Sequence, residues 1–263
     1  MTTATKTWQE LSPRRGTLAR LRPGDPEVWS ERLDCDRERA RRHQSGELVA
    51  ISDAVQERAR AAGAEAVVLS GSTARGRRTR VSDLDYHVIG VPSLSVADLP
   101  QDIDLYADEV DRFWAKLRQG DDFAHWSVWY GCVLFDSGVM RDAAAFVADQ
   151  DVWPDPDRKL RQARNALDFA GQIVESGDYA AALEQTRGAL SLVARWALLS
   201  NDVFPLARDE MPEQLDDLGQ ARLARELRRS IRERPSAKDL GAAIALAQGM
   251  ADAGPAAGHR AAA

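Results

Sequence analysis

The sequence predicts an α+β N-terminal domain over residues 27–150, followed by an all-α helical bundle over 151–250. Three observations carry this. Two short apolar runs, Ala66 to Leu69 and Leu84 to Ile89, have the length of buried strands and bracket a Gly-Ser turn. The stretch Asp151-Val152-Trp153-Pro154-Asp155-Pro156-Asp157 is a proline-rich joint. Beyond the joint apolar residues recur at helical spacing and strand-like runs cease.

Residues 1–26 are polar, rich in Arg and Pro, and are expected to be a flexible arm. Residues 27–42 read as a charged helix whose Arg-rich run, diluted by Asp34, Asp36 and Glu38, is expected to face solvent. Leu48, Ile51, Val55 and Ala59 mark a second helix over 47–62, closed by Gly63. After the two strands, Gln101 to Ala107 reads as a third strand. Val110, Phe113, Trp114 and Leu117 line one side of a helix over 108–119. The aromatic run Trp126 to Phe135 reads as a further strand. Beyond the joint, helices are expected over 157–176, 179–200, 211–232 and 236–250, with a disordered tail over 251–263.

Composition limits what the chain can be. It is 44% hydrophobic and 29% charged, as globular chains are, and carries a net charge of −6. Excess negative charge disfavours nucleic acid as a partner and suits a cationic small molecule. Its two cysteines, Cys35 and Cys132, form neither a CxxC motif nor a Cys/His cluster, so no zinc site or disulfide framework is expected. No apolar run has the length of a membrane span, and no signal peptide is evident at the N-terminus. A cytoplasmic location is the resulting expectation.

The chemistry concentrates in residues 67–89. Asp83 and Asp85 lie two apart on the second strand, so their side chains share a face. Carboxylates held that close repel each other unless a cation lies beside them. Mg²⁺ takes oxygen ligands, often one or two carboxylates together with substrate phosphates. Upstream, Gly71 allows the backbone to approach a ligand closely, and Ser72 adds a hydroxyl and an N–H. A turn leading into a helix presents N–H groups to an anion. Ten residues, 73–82, join this phosphate cradle to the paired carboxylates.

The pattern resembles the nucleotidyltransferase superfamily of the DNA polymerase β type. Leu69, Gly71-Ser72, Asp83-Leu84-Asp85 and Tyr86 match its signature, and the form Gly-Ser-x-Ala-Arg-Gly followed by Ser-Asp-x-Asp looks like small bacterial members, antibiotic nucleotidyltransferases among them. The resemblance implies a small mixed sheet flanked by helices and a C-terminal helical domain that forms the other wall of a cleft. It implies one or two Mg²⁺ held by Asp83 and Asp85, with ATP as donor of AMP. It also implies a third carboxylate on the following strand as metal ligand or general base. Asp104 fills that place, and Asp102, on the same face, stands as the alternative.

Gly71 and Ser72, with Arg75, Arg80 and Arg187, are the expected nucleotide-binding residues. The acceptor expected from the resemblance is a small hydroxylated molecule such as an aminoglycoside or lincosamide antibiotic. A nucleotidyltransferase acting on a protein or tRNA, as in toxin–antitoxin systems, is one alternative. A non-catalytic nucleotide-binding module is the other. His87, on the face of Asp85, reads either as a site residue or as a packed strand histidine. Asp121, Asp122 and His125 read as pocket or solvated loop residues.

Overall fold

A computed structural model describes residues 14–15, 26–79, 82–99, 102–150 and 152–232, together with 241, 244–245, 247–249 and 252. Nearly all of the expected arm and tail, and Arg80, lie outside these residues, as does much of the expected 236–250 helix. The chain divides into two compact units, Met1–Pro154 and Asp155–Ala263.

The first unit is built on a four-stranded sheet, β1 (Ala66–Leu69), β2 (Leu84–Ile89), β3 (Ile103–Asp108) and β4 (Cys132–Asp136), in the order β3-β2-β1-β4. β1 runs antiparallel to β2 and β4, and β2 runs parallel to β3, so the sheet is mixed. Helices α1 (Pro26–His43) and α2 (Gly46–Ala61) precede the sheet, and the single turn α3 (Gly71–Ala74) joins β1 to the segment before β2. Helices α4 (Val110–Arg118), α5 (Asp122–Trp129) and α6 (Val139–Gln150) follow in order.

Alternation along β2 decides which helix covers which face. Leu84, Tyr86 and Val88 turn to one side, where the Tyr86 hydroxyl meets Ser52 Oγ of α2 at 2.6 Å. Asp85 and His87 turn to the other. There His87 is buried against Ser127 of α5 and Phe113 of α4. That helical cover extends over the His87 end of the face. Toward the start of β2 Asp83 remains exposed and Asp85 half-buried.

Two expectations need correction in this unit. Residues 122–129 are helical, and the strand starts only at Cys132. The Asp121 side chain caps α5 by accepting from the Phe123 and Ala124 N–H groups, and every residue from Ala124 to Trp129 is buried. With no polar face, the run carries no helical period to read. Gly131, where an added Cβ would meet Val68 Cγ1 at 2.3 Å, then lets β4 turn in against β1.

The basic side of α1 is the second correction. Arg32 is buried and donates to the Val128 carbonyl, Arg37 donates to that of Leu134, and Arg39 to that of Gly131. Asp36 sits between Arg32 and Arg39 and accepts the Val133 N–H at 3.0 Å. Arg32, Arg37 and Arg39 thus seat the helix beside β4, while Arg41 and Arg42 of the same run face solvent as expected.

Helix α6 was not anticipated from the pattern. Its first turn is fixed by Asp136, which accepts from the Met140 and Arg141 N–H groups and from Trp29 Nε1.

In the second unit the main helices are α7 (Pro156–Ser176), α8 (Tyr179–Leu199), α9 (Met211–Asp217) and α10 (Ala221–Arg232). Leu160, Leu167, Leu190, Val193, Leu215 and Leu227 belong to one buried cluster. Asp155 and Asp178 cap α7 and α8, and Gly177 closes α7 at φ 85°. The single helix expected over 211–232 is two. Gly219 at φ 73° breaks it, and the Gln220 N–H turns back to the Leu215 carbonyl.

Candidate active site

The turn after β1 is made by a glycine that no other residue can replace without displacement. Gly71 has φ 63°, and a Cβ there would lie 1.8 Å from Asp85 Oδ2. Ser70, just before it, donates its N–H to the Asp85 carbonyl at 2.8 Å and its hydroxyl to the same oxygen at 3.3 Å. The turn and β2 are thereby locked together, and the Asp85 carboxylate lies against the Gly71 backbone. Ser72 follows in the first turn of α3, where the helix itself supplies no acceptor for the backbone N–H groups.

Asp83 immediately precedes β2, Asp85 is its second residue, and Asp104 is the second residue of β3. In the parallel register Asp85 stands opposite Asp104. One carboxylate oxygen from each of Asp83, Asp85 and Asp104 lies within 4.8 Å of the others. Asp83 and Asp104 are exposed and Asp85 is half-buried. Asp102 is outside this group. It lies just before β3, where its carbonyl accepts the Leu84 N–H at 3.0 Å.

The donor set fits a hard divalent cation. All three donors are carboxylate oxygens, and opposed ligands of an octahedral Mg²⁺ stand about 4.2 Å apart. Among three ligands of one ion at most one pair can be opposed and the others stand about 3 Å apart, so binding would draw the carboxylates closer together by side-chain rotation.

Other expected residues fall in different places. Arg75 caps α3, and its guanidinium lies over the Tyr130 ring at 5.4 Å from the centroid. Arg187 is on α8 in the second unit, ion-paired with Glu184. With Glu184, Ser191, Arg208, Ser230 and Ile231 it lines a cavity of about 140 Å³. Asp121 is the α5 cap, and Asp122 and His125 are buried, so none of the three is a solvated loop residue. Burial holds the His125 imidazole below its ordinary pKa, against the raising effect of its Nδ1 contact with the Asp121 carbonyl.

His87 is a packed strand histidine. Its Nδ1 meets Ser127 Oγ at 2.9 Å and its Nε2 meets Asp108 Oδ2 at 3.2 Å. Burial lowers its pKa, and Asp108 opposes that shift.

Sequence reasoning overlooked Asp108 and His43. Asp108 was read as the start of a helix, although it shares the face of Asp104 by strand alternation, which is the signal that could have found it. His43 closes α1 with its ring against Gly76, where an added Cβ would meet it at 2.9 Å, and it hydrogen-bonds the backbone at the end of α3. No local sequence feature marked that contact.

No protein-family model matches the chain, and no curated protein matches it. Among solved structures it is similar to a nucleotidyltransferase-like protein from Exiguobacterium sibiricum 255-15. The identity is 16% and the TM-score 0.39, over 75% of this chain and 72% of that one. So distant a likeness says nothing about activity. Among the described residues no helix is long and apolar enough to cross a membrane.

Proposed function

We propose that the protein is a divalent-metal-dependent nucleotidyltransferase that moves a nucleoside monophosphate, AMP from ATP, onto a hydroxyl group and releases pyrophosphate. The observation that carries this reading is the convergence of Asp83, Asp85 and Asp104 beside the Gly71-Ser72 turn. A binding module has no need of three clustered carboxylates, whose mutual repulsion is a standing cost without a cation.

Asp83 and Asp85 hold one or two Mg²⁺, and Asp104 completes the site or accepts the proton of the acceptor hydroxyl as general base. Bound there, Mg²⁺ supplies Lewis acidity to the α-phosphoryl group and charge neutralisation to the leaving pyrophosphate. Ser72 and the backbone at Gly71 bind the β- and γ-phosphates, and Arg75 adds a charge-assisted bond. The acceptor is a small hydroxylated molecule, an aminoglycoside or lincosamide antibiotic in the sharpest form of the proposal. The chain's net charge of −6 supports a cationic acceptor.

The test supplies labelled ATP and Mg²⁺ with an antibiotic panel and, separately, with cell lysate. Label entering a small molecule supports the proposal, and label entering protein or RNA alone refutes the small-molecule acceptor. Metal-independent ATP binding without pyrophosphate release refutes the enzyme. Asp85→Asn serves as the inactive control.

A further inference from the structure

Behind the three carboxylates lies a second polar group that the proposed chemistry does not use. Asp108 ends β3 and is fully buried, yet it gathers three cationic or polar partners. Lys116 Nζ reaches its two oxygens at 2.7 and 2.8 Å, Arg112 Nε reaches Oδ1 at 3.2 Å, and His87 Nε2 reaches Oδ2 at 3.2 Å. Lys116 also donates to the Tyr106 hydroxyl at 2.9 Å. Lys116 and Arg112 belong to α4, His87 to β2, and Tyr106 and Asp108 to β3. One carboxylate therefore ties together the two strands that carry the candidate metal ligands and the helix packed against them.

Strand alternation connects this group to the site. Asp83, Asp85 and His87 follow one another along one side of β2, and Asp104, Tyr106 and Asp108 along the same side of β3. In a parallel pair a slip of one residue would turn Asp104 to the opposite face. Among the described residues β3 is also an edge strand with β2 as its single sheet neighbour, so within them the sheet holds it from one side only. The backbone ladder is bounded by Leu84 N–H to the Asp102 carbonyl and Gly90 N–H to the Asp108 carbonyl.

We infer that His87 and Asp108 are positioning residues: their buried cross-strand contact, anchored by Lys116, fixes the β2/β3 register that sets Asp104 opposite Asp85. The inference rests on the nucleotidyl-transfer reading for the purpose of that pairing. His87 and Asp108 do not touch the three carboxylates, and would govern metal affinity only through the strands that carry them, as groups behind the ligands do. A purely structural role would lower stability without acting through Asp104 in particular.

The test is a double-mutant cycle on the full chain, read as Mn²⁺ affinity by calorimetry or electron paramagnetic resonance. Asp108→Asn should weaken Mn²⁺ about tenfold where Asp104 is intact. In an Asp104→Ala background it should have no further effect. Equal losses in both backgrounds, or no loss in either, overturn the inference. If Asp108→Asn does not fold, His87→Leu carries the same cycle, because it removes the cross-strand contact and leaves Asp108 its Lys116 partner. His87→Gln, which returns a donor near the position of Nε2, should then recover Mn²⁺ affinity, and failure to do so counts against the clamp.

A wild-type chain that binds no Mn²⁺ would defeat the metal reading instead, and the register would then be read by cross-linking. Asp85→Cys with Asp104→Cys, in a Cys35→Ser chain, should oxidise readily. Asp108→Asn should lower the yield of that disulfide, and an unchanged yield overturns the clamp.

Discussion

The Asp85 carboxylate occupies the space that a side chain at Gly71 would need: an added Cβ would lie 1.8 Å from Oδ2. The turn that presents Ser72 and the carboxylate that would hold metal are thus one packed unit. Gly71→Ala meets two penalties. The residue is held at φ 63°, a conformation that costs an L-residue roughly 1–2 kcal/mol, and Asp85 must move. The variant should lose transfer activity and bind Mn²⁺ at least tenfold more weakly, while urea unfolding records a loss of at least about 1–2 kcal/mol, the conformational penalty alone. Full activity would show that the close approach has no functional weight.

Neutralising the carboxylates should separate function from stability. Asp83, Asp85 and Asp104 bring like charges within 4.8 Å of one another. Asp83→Asn and Asp104→Asn should therefore leave metal-free thermal stability unchanged or slightly raised, and Asp85→Asn should abolish transfer. Mg²⁺ should raise the wild-type melting temperature through binding to the folded state alone, and the same addition should do nothing for the triple Asn variant. A Mg²⁺-dependent rise that persists in that variant would place the metal elsewhere.

Where the chain could be read from sequence, it was read because a local rule and the tertiary structure agreed. β1 and β2 begin and end where the apolar runs do, because Ser70-Gly71 interrupts the first and Asp83 precedes the second. Asp83 and Asp85 were legible for the same reason, since alternation puts both on one face, whereas Asp104 followed from the family resemblance, because alternation places Asp102 on the same face of its strand. α5 was not, since a helix buried on all sides has no polar period to display. The docking of α1 was not legible either, because the partners of Arg32, Asp36 and the Val128 carbonyl, complete a buried network that spans 96 residues of sequence. His87 and Asp108 are 21 residues apart, and neither names the other. Local pattern records what a segment prefers, and these contacts are made by chain topology.

Asp36 is the residue on which α1 docking depends. It faces the buried Arg32 at 3.4 Å and Arg39 at 3.1 Å, and accepts the Val133 N–H. Burial lowers the Arg32 pKa, and Asp36 opposes that shift. Removing the carboxylate leaves a guanidinium buried without its counter-charge, a change that typically costs about 3–5 kcal/mol. Asp36→Ala should destabilise the first unit by that order in urea unfolding, and Asp36→Asn, which keeps an acceptor for Val133, should cost less. A loss below about 1 kcal/mol, the level of an exposed ion pair, would mean that water reaches Arg32.

Stability should also fall on mild acidification, through buried histidines. Burial lowers the pKa of His125 and His87 from the ordinary 6.5. The unfolded chain titrates near 6.5, whereas the folded chain resists protonation until lower pH. Above that value both states are neutral and the full stability is present. Below it the unfolded chain binds protons first, so stability falls by up to about 1.4 kcal/mol per pH unit for each histidine until the folded form titrates as well. The Asp108 carboxyl is raised by burial, but the hydrogen bonds from His87 and Lys116 outweigh that and hold it below its ordinary 3.8. Its contribution is therefore lost in a separate and more acidic window. Urea unfolding between pH 7.5 and 5 should show a declining midpoint in the wild type. His125→Asn, which can keep a donor toward the Asp121 carbonyl but does not titrate, should start from lower stability and decline less steeply. A midpoint that stays flat across this range would mean that folding does not lower the affinity of these imidazoles for protons.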